Sequence, residues 1–259
     1  MLTMALESHH RPSKMVTAEQ TSIWLVAGWR DLWRHPRLSL AFGALYAAVG
    51  AALYLGLTAM GMGSLLLALA AGFMLVGPLA AVFLFEISRR IEAGEAVTLA
   101  LVLKGVALRS AQVGNMGLVL SMLLMAWLFA GLVVFALFYP PGYPLPLDSF
   151  FTDVVLKPES FRFLVVGTLV GGVLATVAFA ISVFSMPMLL DRDVGVIEAI
   201  DFSIRATLVN WRTMIGWAAT IAIITFFGMA TAFLGLIVAL PLVAHASWHA
   251  YRDVAGKGR

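Results

Sequence analysis

Residues Leu38–Met60 read LSLAFGALYAAVGAALYLGLTAM, and beyond Gly61-Met62-Gly63 residues Ser64–Phe85 read SLLLALAAGFMLVGPLAAVFLF. At about 1.5 Å of rise per residue each run crosses roughly 30 Å of hydrocarbon, so the pair predicts two membrane-spanning helices joined by a short glycine turn. The rest of the chain agrees. Of its 259 residues 61% are hydrophobic and 12% charged, whereas a soluble domain carries about 25% charged residues to cover its surface. A water-soluble globule is excluded, and an all-α polytopic transmembrane helical bundle is the expected fold.

Farther along, 115–139 forms a third span closed by Pro140, Pro141 and Pro144, and 163–190 a fourth stopped by Asp191, Arg192 and Asp193. The apolar stretch 213–251 would reach about 58 Å as one helix, so it divides into spans at 213–228 and 231–251. Fifteen of the seventeen Lys and Arg residues then flank one side of the membrane, leaving Lys157 and Arg162 on the other. By the positive-inside rule both termini are cytoplasmic and the number of spans is even, which gives six, at about 38–60, 64–85, 115–139, 163–190, 213–228 and 231–251. Residues 1–17 are polar, with His9, His10, Arg11 and Lys14. The first long apolar run begins only near Leu38, so this segment reads as a flexible cytoplasmic tail rather than a signal peptide. Residues 18–254 form a single integral membrane domain, and 255–259 a short cytoplasmic tail.

Three amphipathic segments lie between the spans. In the first, Ile23, Trp24, Leu25, Trp29, Leu32 and Trp33 recur at helical spacing beside Arg30, Asp31, Arg34 and Arg37. Tryptophans on one face and arginines on the other suit the headgroup layer. The second segment covers 97–109 and the third 196–211. With the spans they make a threefold pattern of cytoplasmic helix, span, outside turn and span. Sparse matches accompany it: Pro78 with Pro241 and Arg89 with Arg252 at a shift of 163, and Arg30 with Arg205 at a shift of 175. Each unit starts and ends on the same side, so the repeat is a parallel one, unlike an inverted-repeat transporter.

The chain has no cysteine, which removes disulfides, thiolate nucleophiles, iron-sulfur clusters and cysteine-bound zinc. Its net charge of +3 is carried beside the spans, so the lipid bilayer with anionic headgroups at the cytoplasmic face is the expected partner, and nucleic acid is not. A membrane-protein partner and a homodimer both stay open. Polar groups at span depth each need a reason. His245 and His249, one turn apart, share a helix face and have the spacing of two metal ligands, but an interfacial position at the span end is the preferred reading. Glu86 and His249 occupy equivalent places under the shift of 163 and would form a polar pair if spans two and six met. Arg89 and Arg90 are the commoner partners for such a carboxylate. Pro78, Pro187 and Pro241 mark kinks or hinges. Gly167 and Gly171 form a G-x-x-x-G face that serves packing within the monomer or dimerisation. The outside loop Pro140–Arg162, with Asp148, Asp153 and Glu159, has no arrangement of nucleophile, base and orienter.

Four stretches, Gly28–Leu40 (GWRDLWRHPRLSL), Phe85–Glu95 (FEISRRIEAGE), Ser185–Asp193 (SMPMLLDRD) and Gly235–Asp253 (GLIVALPLVAHASWHAYRD), carry a likeness to a known family. From about residue 20 to residue 254 the chain resembles a bacterial family described as predicted integral membrane proteins, a domain of unknown function, some members of which bear the label of cytochrome c oxidase subunit I. The resemblance implies a bacterial inner-membrane setting and brings no catalytic residues. A haem-copper catalytic subunit needs histidines on several helices, and here the span histidines share one. The expectation is an integral inner-membrane protein without catalysis, either a small permease or channel-like unit or an envelope scaffold, with no cofactor. The alternative is an accessory or assembly component of a respiratory complex with metal or haem association.

Overall fold

The computed structural model describes residues 14–62, 77–139 and 157–256, and among them every regular element is helical. The elements are α1 (Gln20–Arg34), α2 (Pro36–Ala59), α3 (Val82–Glu92), α4 (Leu99–Leu108), α5 (Ser110–Phe138), α6 (Phe161–Ser182), α7 (Ser185–Asp191), α8 (Val196–Val209), α9 (Trp211–Ala230) and α10 (Leu236–Ala255). Four helical stretches are long and apolar enough to cross a membrane: Pro36–Ala59, Ser110–Phe138, Phe161–Asp191 and Trp211–Ala230. They correspond to the expected spans at 38–60, 115–139, 163–190 and 213–228. Most of the expected span 64–85 lies outside the described residues, as do Asp148 and Asp153. The expected span 231–251 corresponds to α10, which is not one of the four. Its first half is apolar, but its second half carries His245, His249, Arg252 and Asp253.

Three times a short helix passes into a long one through a single residue. His35 (φ −132°, ψ 59°) separates α1 from α2, Arg109 (φ −108°, ψ 15°) separates α4 from α5, and Asn210 (φ −107°, ψ 26°) separates α8 from α9. Pro36 accounts for the first break, because the residue before a proline is driven out of the helical region. At the third, the Asn210 side-chain amide donates to the Ala206 carbonyl at 2.9 Å and to the Lys14 carbonyl at 3.1 Å, tying the N-terminal segment to the break. Arg109 meets Asp193 at 2.7 Å. At ten residues α4 is about 15 Å long, too short to cross a bilayer. Residues 14–16, part of the expected tail, are tied down: Lys14 N donates to Val254 O, Val16 N to Asn210 Oδ1, and Thr213 Oγ1 to Val16 O.

The centre of the bundle is α10, which glycines on its neighbours let them approach closely. A Cβ on Gly28 of α1 would lie 2.5 Å from Ala246 N, and one on Gly228 of α9 2.7 Å from a Leu236 methyl. Gly43 of α2 is tighter still, its Cβ position only 2.1 Å from the Ile237 carbonyl oxygen. Pro241, four residues on from Ile237, lacks the amide that would bond that oxygen in a regular helix, so the proline frees the carbonyl on which α2 packs. The turn between α9 and α10 spans 231–235 rather than the expected 228–231. Thr231 Oγ1 donates to Gly228 O and accepts from Gly235 N, while Ala232 and Phe233 take positive φ angles of 52° and 67°.

A further break, at 183–184 between α6 and α7, is filled by Ser203 of α8, which accepts from Phe184 N at 3.1 Å and donates to Ala180 O at 2.7 Å. Pro187 then falls in the first turn of α7, where its missing amide costs little. Pro78 lies in helical backbone over 77–80, before the turn at Ala81. The glycine face of α6 is used inside the monomer: a Cβ on Gly171 would touch the Trp127 ring at 2.9 Å, and one on Gly167 would meet Val134 at 4.0 Å, both on α5.

Candidate functional site

The C-terminal half of α10, AHASWHAYRD over 244–253, alternates small residues with polar or aromatic ones. The alanines let neighbouring helices come close, and the long side chains reach them. At the core of this region a chain of hydrogen bonds joins four helices. Ser39 Oγ of α2 lies 3.0 Å from His245 Nε2, and Ser88 Oγ of α3 lies 2.8 Å from His245 Nδ1. Ser88 also donates to Asp31 Oδ2 of α1 at 2.9 Å, and His249 Nε2 reaches the same oxygen at 2.8 Å. A serine has one proton to give. With Ser88 donating to Asp31, it must accept from His245, which puts the imidazole proton on Nδ1 and leaves Nε2 to accept from Ser39. The chain therefore runs one way, from Ser39 through His245 and Ser88 to Asp31, with His249 donating from the other side.

Ser39, Ser88 and His245 have no exposed surface, and Asp31 has 3%. Burial alone would push the Asp31 carboxyl up, but the hydrogen bond and charge of His249, together with the Ser88 hydroxyl, outweigh it and hold the carboxyl below its ordinary value. The order of serine, histidine and carboxylate is that of an activated nucleophile. The surroundings are not. Ser39 is sealed, and its own amide bonds His35 O within the helix, so it has neither access nor a donor for a developing oxyanion. The arrangement joins helices.

Around this core lies a rim of mixed polar bonds. Trp24 Nε1 donates to Asp253 at 2.7 Å and Trp248 Nε1 to Glu92 at 2.9 Å. Arg252 bridges Glu92 and Asp191, each at 3.0 Å, and Tyr251 donates to Asp191 at 2.7 Å. Arg192 donates to the carbonyls of Ala255 and Gly256, where a cation is favoured at the end of α10. A cleft of about 450 Å³ opens here, lined by Lys14, Glu92, His249, Arg252, Asp253 and Gly256.

The residues singled out from sequence fall as follows. His245 and His249 both enter the buried network, but each has a protein partner: both ring nitrogens of His245 are taken by serines and Nε2 of His249 by Asp31. Among the described residues no group of three or more His, Cys, Asp or Glu is arranged to hold a metal ion. A metal or haem iron needs an open imidazole nitrogen, which His245 does not offer, so its surroundings do not fit such a group. Glu86 and His249 are not brought together. Glu86 is buried against Gly105, with Arg89 at 2.7 Å and Arg90 at 2.7 Å. The hydrogen bond that Arg89 donates to Glu86 leads the causes that raise its guanidinium, with Glu95 adding to it, and the bond that Glu95 accepts from Arg89 holds the Glu95 carboxyl below its ordinary value. Asp31, Ser39 and Ser88 were not anticipated. Asp31 follows Trp24 by seven residues and Gly28 by three, on the inward face of α1, and that spacing was the available signal.

These features define a class, an integral membrane protein of several apolar helices clamped at one end by a buried polar network. Residues 65–191, just under half of the chain, match the model of the family described as Predicted integral membrane protein (DUF2189). FEISRRIEAGE and SMPMLLDRD reach into that match, whereas the α1 and α10 partners of the network lie outside it. No curated protein and no solved structure matches the chain.

Proposed function

We propose that the protein is a non-catalytic scaffold of the bacterial inner membrane, built from three parallel units of interfacial helix, span, outside turn and span, with six spans and both termini in the cytoplasm. The three one-residue breaks at His35, Arg109 and Asn210 support the repeat, since each stands between a short helix and a span. The observation that carries the scaffold reading is how the polar groups at span depth are spent. Ser121 donates to Gly117 O, Thr176 to Gly172 O and Thr220 to Gly216 O, each on its own helix. A pathway for a polar solute would need such groups turned toward a shared lumen. The scaffold reading is therefore preferred to the permease or channel-like one, and no observation favours a respiratory accessory role.

Capture of the tagged full chain from native membranes, followed by protein and lipid mass spectrometry, tests it. Reproducible enrichment of a membrane-protein partner, or of a second copy, is the expected result. Solute flux through proteoliposomes of the purified chain would overturn it. So would a stoichiometric haem or metal seen by visible absorption and metal analysis. A reporter fused to the C-terminus that signals from outside would break the six-span topology.

A further inference from the structure

The three short helices that lead into α2, α5 and α9 all expose apolar side chains, but they spend their charges differently. On α8, Arg205 pairs with Asp201 at 2.8 Å and Glu198 stands exposed a turn earlier, so the outer face is close to neutral. On α4, Lys104 is the only charge. On α1 the one acid, Asp31, is turned inward and committed to Ser88 and His249, while Arg30 and Arg34, and Arg37 in the first turn of α2, stay exposed. Arg34 reaches no closer than 4.0 Å to Asp31, and neither Arg30 nor Arg37 has an acidic partner among the described residues. Beside these guanidiniums Trp29 and Trp33 are about half exposed, at 46% and 51%, and their rings meet edge to face at 5.5 Å. Trp24, which the sequence places with them, is instead buried against Trp217.

We infer that this outer face of α1, continued by the first turn of α2, is a binding surface for anionic phospholipid headgroups, with Arg30, Arg34 and Arg37 on the phosphates and the indoles of Trp29 and Trp33 seated beside them. The inference rests on α1 being an interfacial helix and goes beyond it by naming the lipid class and by assigning the selectivity to this helix rather than α8. Inward burial of Asp31 is what creates the surface: the same carboxylate that closes the internal network leaves Arg30 and Arg37 without a counter-charge and Arg34 with one only at 4.0 Å. Guanidinium groups bind phosphate through a planar fork of donors, and indoles settle at headgroup level.

The test uses the full chain in vesicles of phosphatidylcholine and phosphatidylglycerol in equal amounts, with native mass spectrometry counting the retained lipids of each kind. Retained phosphatidylglycerol should exceed phosphatidylcholine. The Arg30→Gln, Arg34→Gln, Arg37→Gln variant should lose that preference by about fivefold for each arginine removed, and Arg205→Gln with Arg212→Gln should keep it. For the unmodified chain, salt near 1 M shortens the screening length to about 3 Å and should erase the preference. Equal retention of the two lipids, an unchanged ratio in the triple variant, equal loss in the α8 variant, or a preference indifferent to salt would each overturn the assignment. Because the readout is lipid retention rather than flux or partner capture, a negative result falls on α1 and leaves the scaffold reading standing.

Discussion

In α5, α6 and α9, helices long and apolar enough to cross a membrane, Ser121, Thr176 and Thr220 bond carbonyls of their own helix, whereas in the second half of α10 nearly every polar side chain bonds another element. The first arrangement leaves each helix self-sufficient, as hydrocarbon requires, so that association there depends on shape, through contacts such as Gly171 on Trp127. The second makes the helices depend on one another. Gly43 belongs to both regimes, since it is a shape contact made to the carbonyl that Pro241 leaves unbonded.

That contrast can be broken at its strongest point by Gly43→Ala. The added methyl would meet backbone at 2.1 Å, and overpacking against a group that cannot rotate away should cost about 3 kcal/mol, read as a fall in the midpoint of denaturation in detergent. Next comes Asp31→Ala, which leaves Ser88 and His249 without their acceptor and should cost about 2 kcal/mol. Asp31→Asn, which keeps an acceptor, should cost less. The folded Asp31 carboxyl titrates below its unfolded value of about 3.9. Its stabilisation is thus present in full above that value and is lost as pH falls through the folded one. The acid arm of the stability curve should accordingly flatten in Asp31→Asn; an identical acid arm would remove Asp31 from the account. Trp248→Phe takes only the indole donor from Glu92, for about 1 kcal/mol. Ser121→Ala, at the other end of the contrast, should change stability by less than about 0.5 kcal/mol. A larger loss would show that hydroxyls at span depth also join helices.

The apolar runs were legible because a span is an uninterrupted local signal: Leu38–Met60 and 163–190 need only length and hydropathy to be read, and helices stand close to both. The end of the fourth span was legible for a similar reason, being marked by Asp191-Arg192-Asp193, whereas the break at His35, which Pro36 sets, falls inside what the sequence reads as one amphipathic segment reaching Arg37. The site was half legible. His245 and His249 stood out as histidines in an apolar context, but their partners are serines and an aspartate from segments some 150 to 220 residues away. A lone Ser39 or Ser88 carries no sign of which helix it will meet. Among the tryptophans of α1, burial is decided by what faces the helix: Trp24 turns inward because Trp217 and Asp253 receive it, and a periodicity argument on α1 alone cannot see either.

The position of the polar network on α10 also sets an order of events during synthesis. Ser39, Glu92 and Asp191 all lie in segments that leave the ribosome before the helix that supplies their partners. Until residues 245–252 arrive, those groups must stay hydrated or find temporary partners, which keeps the polar ends of α2, α3 and α7 open while apolar segments can already lie in the membrane. Insertion and closure are in this way separable steps, with the second waiting for α10.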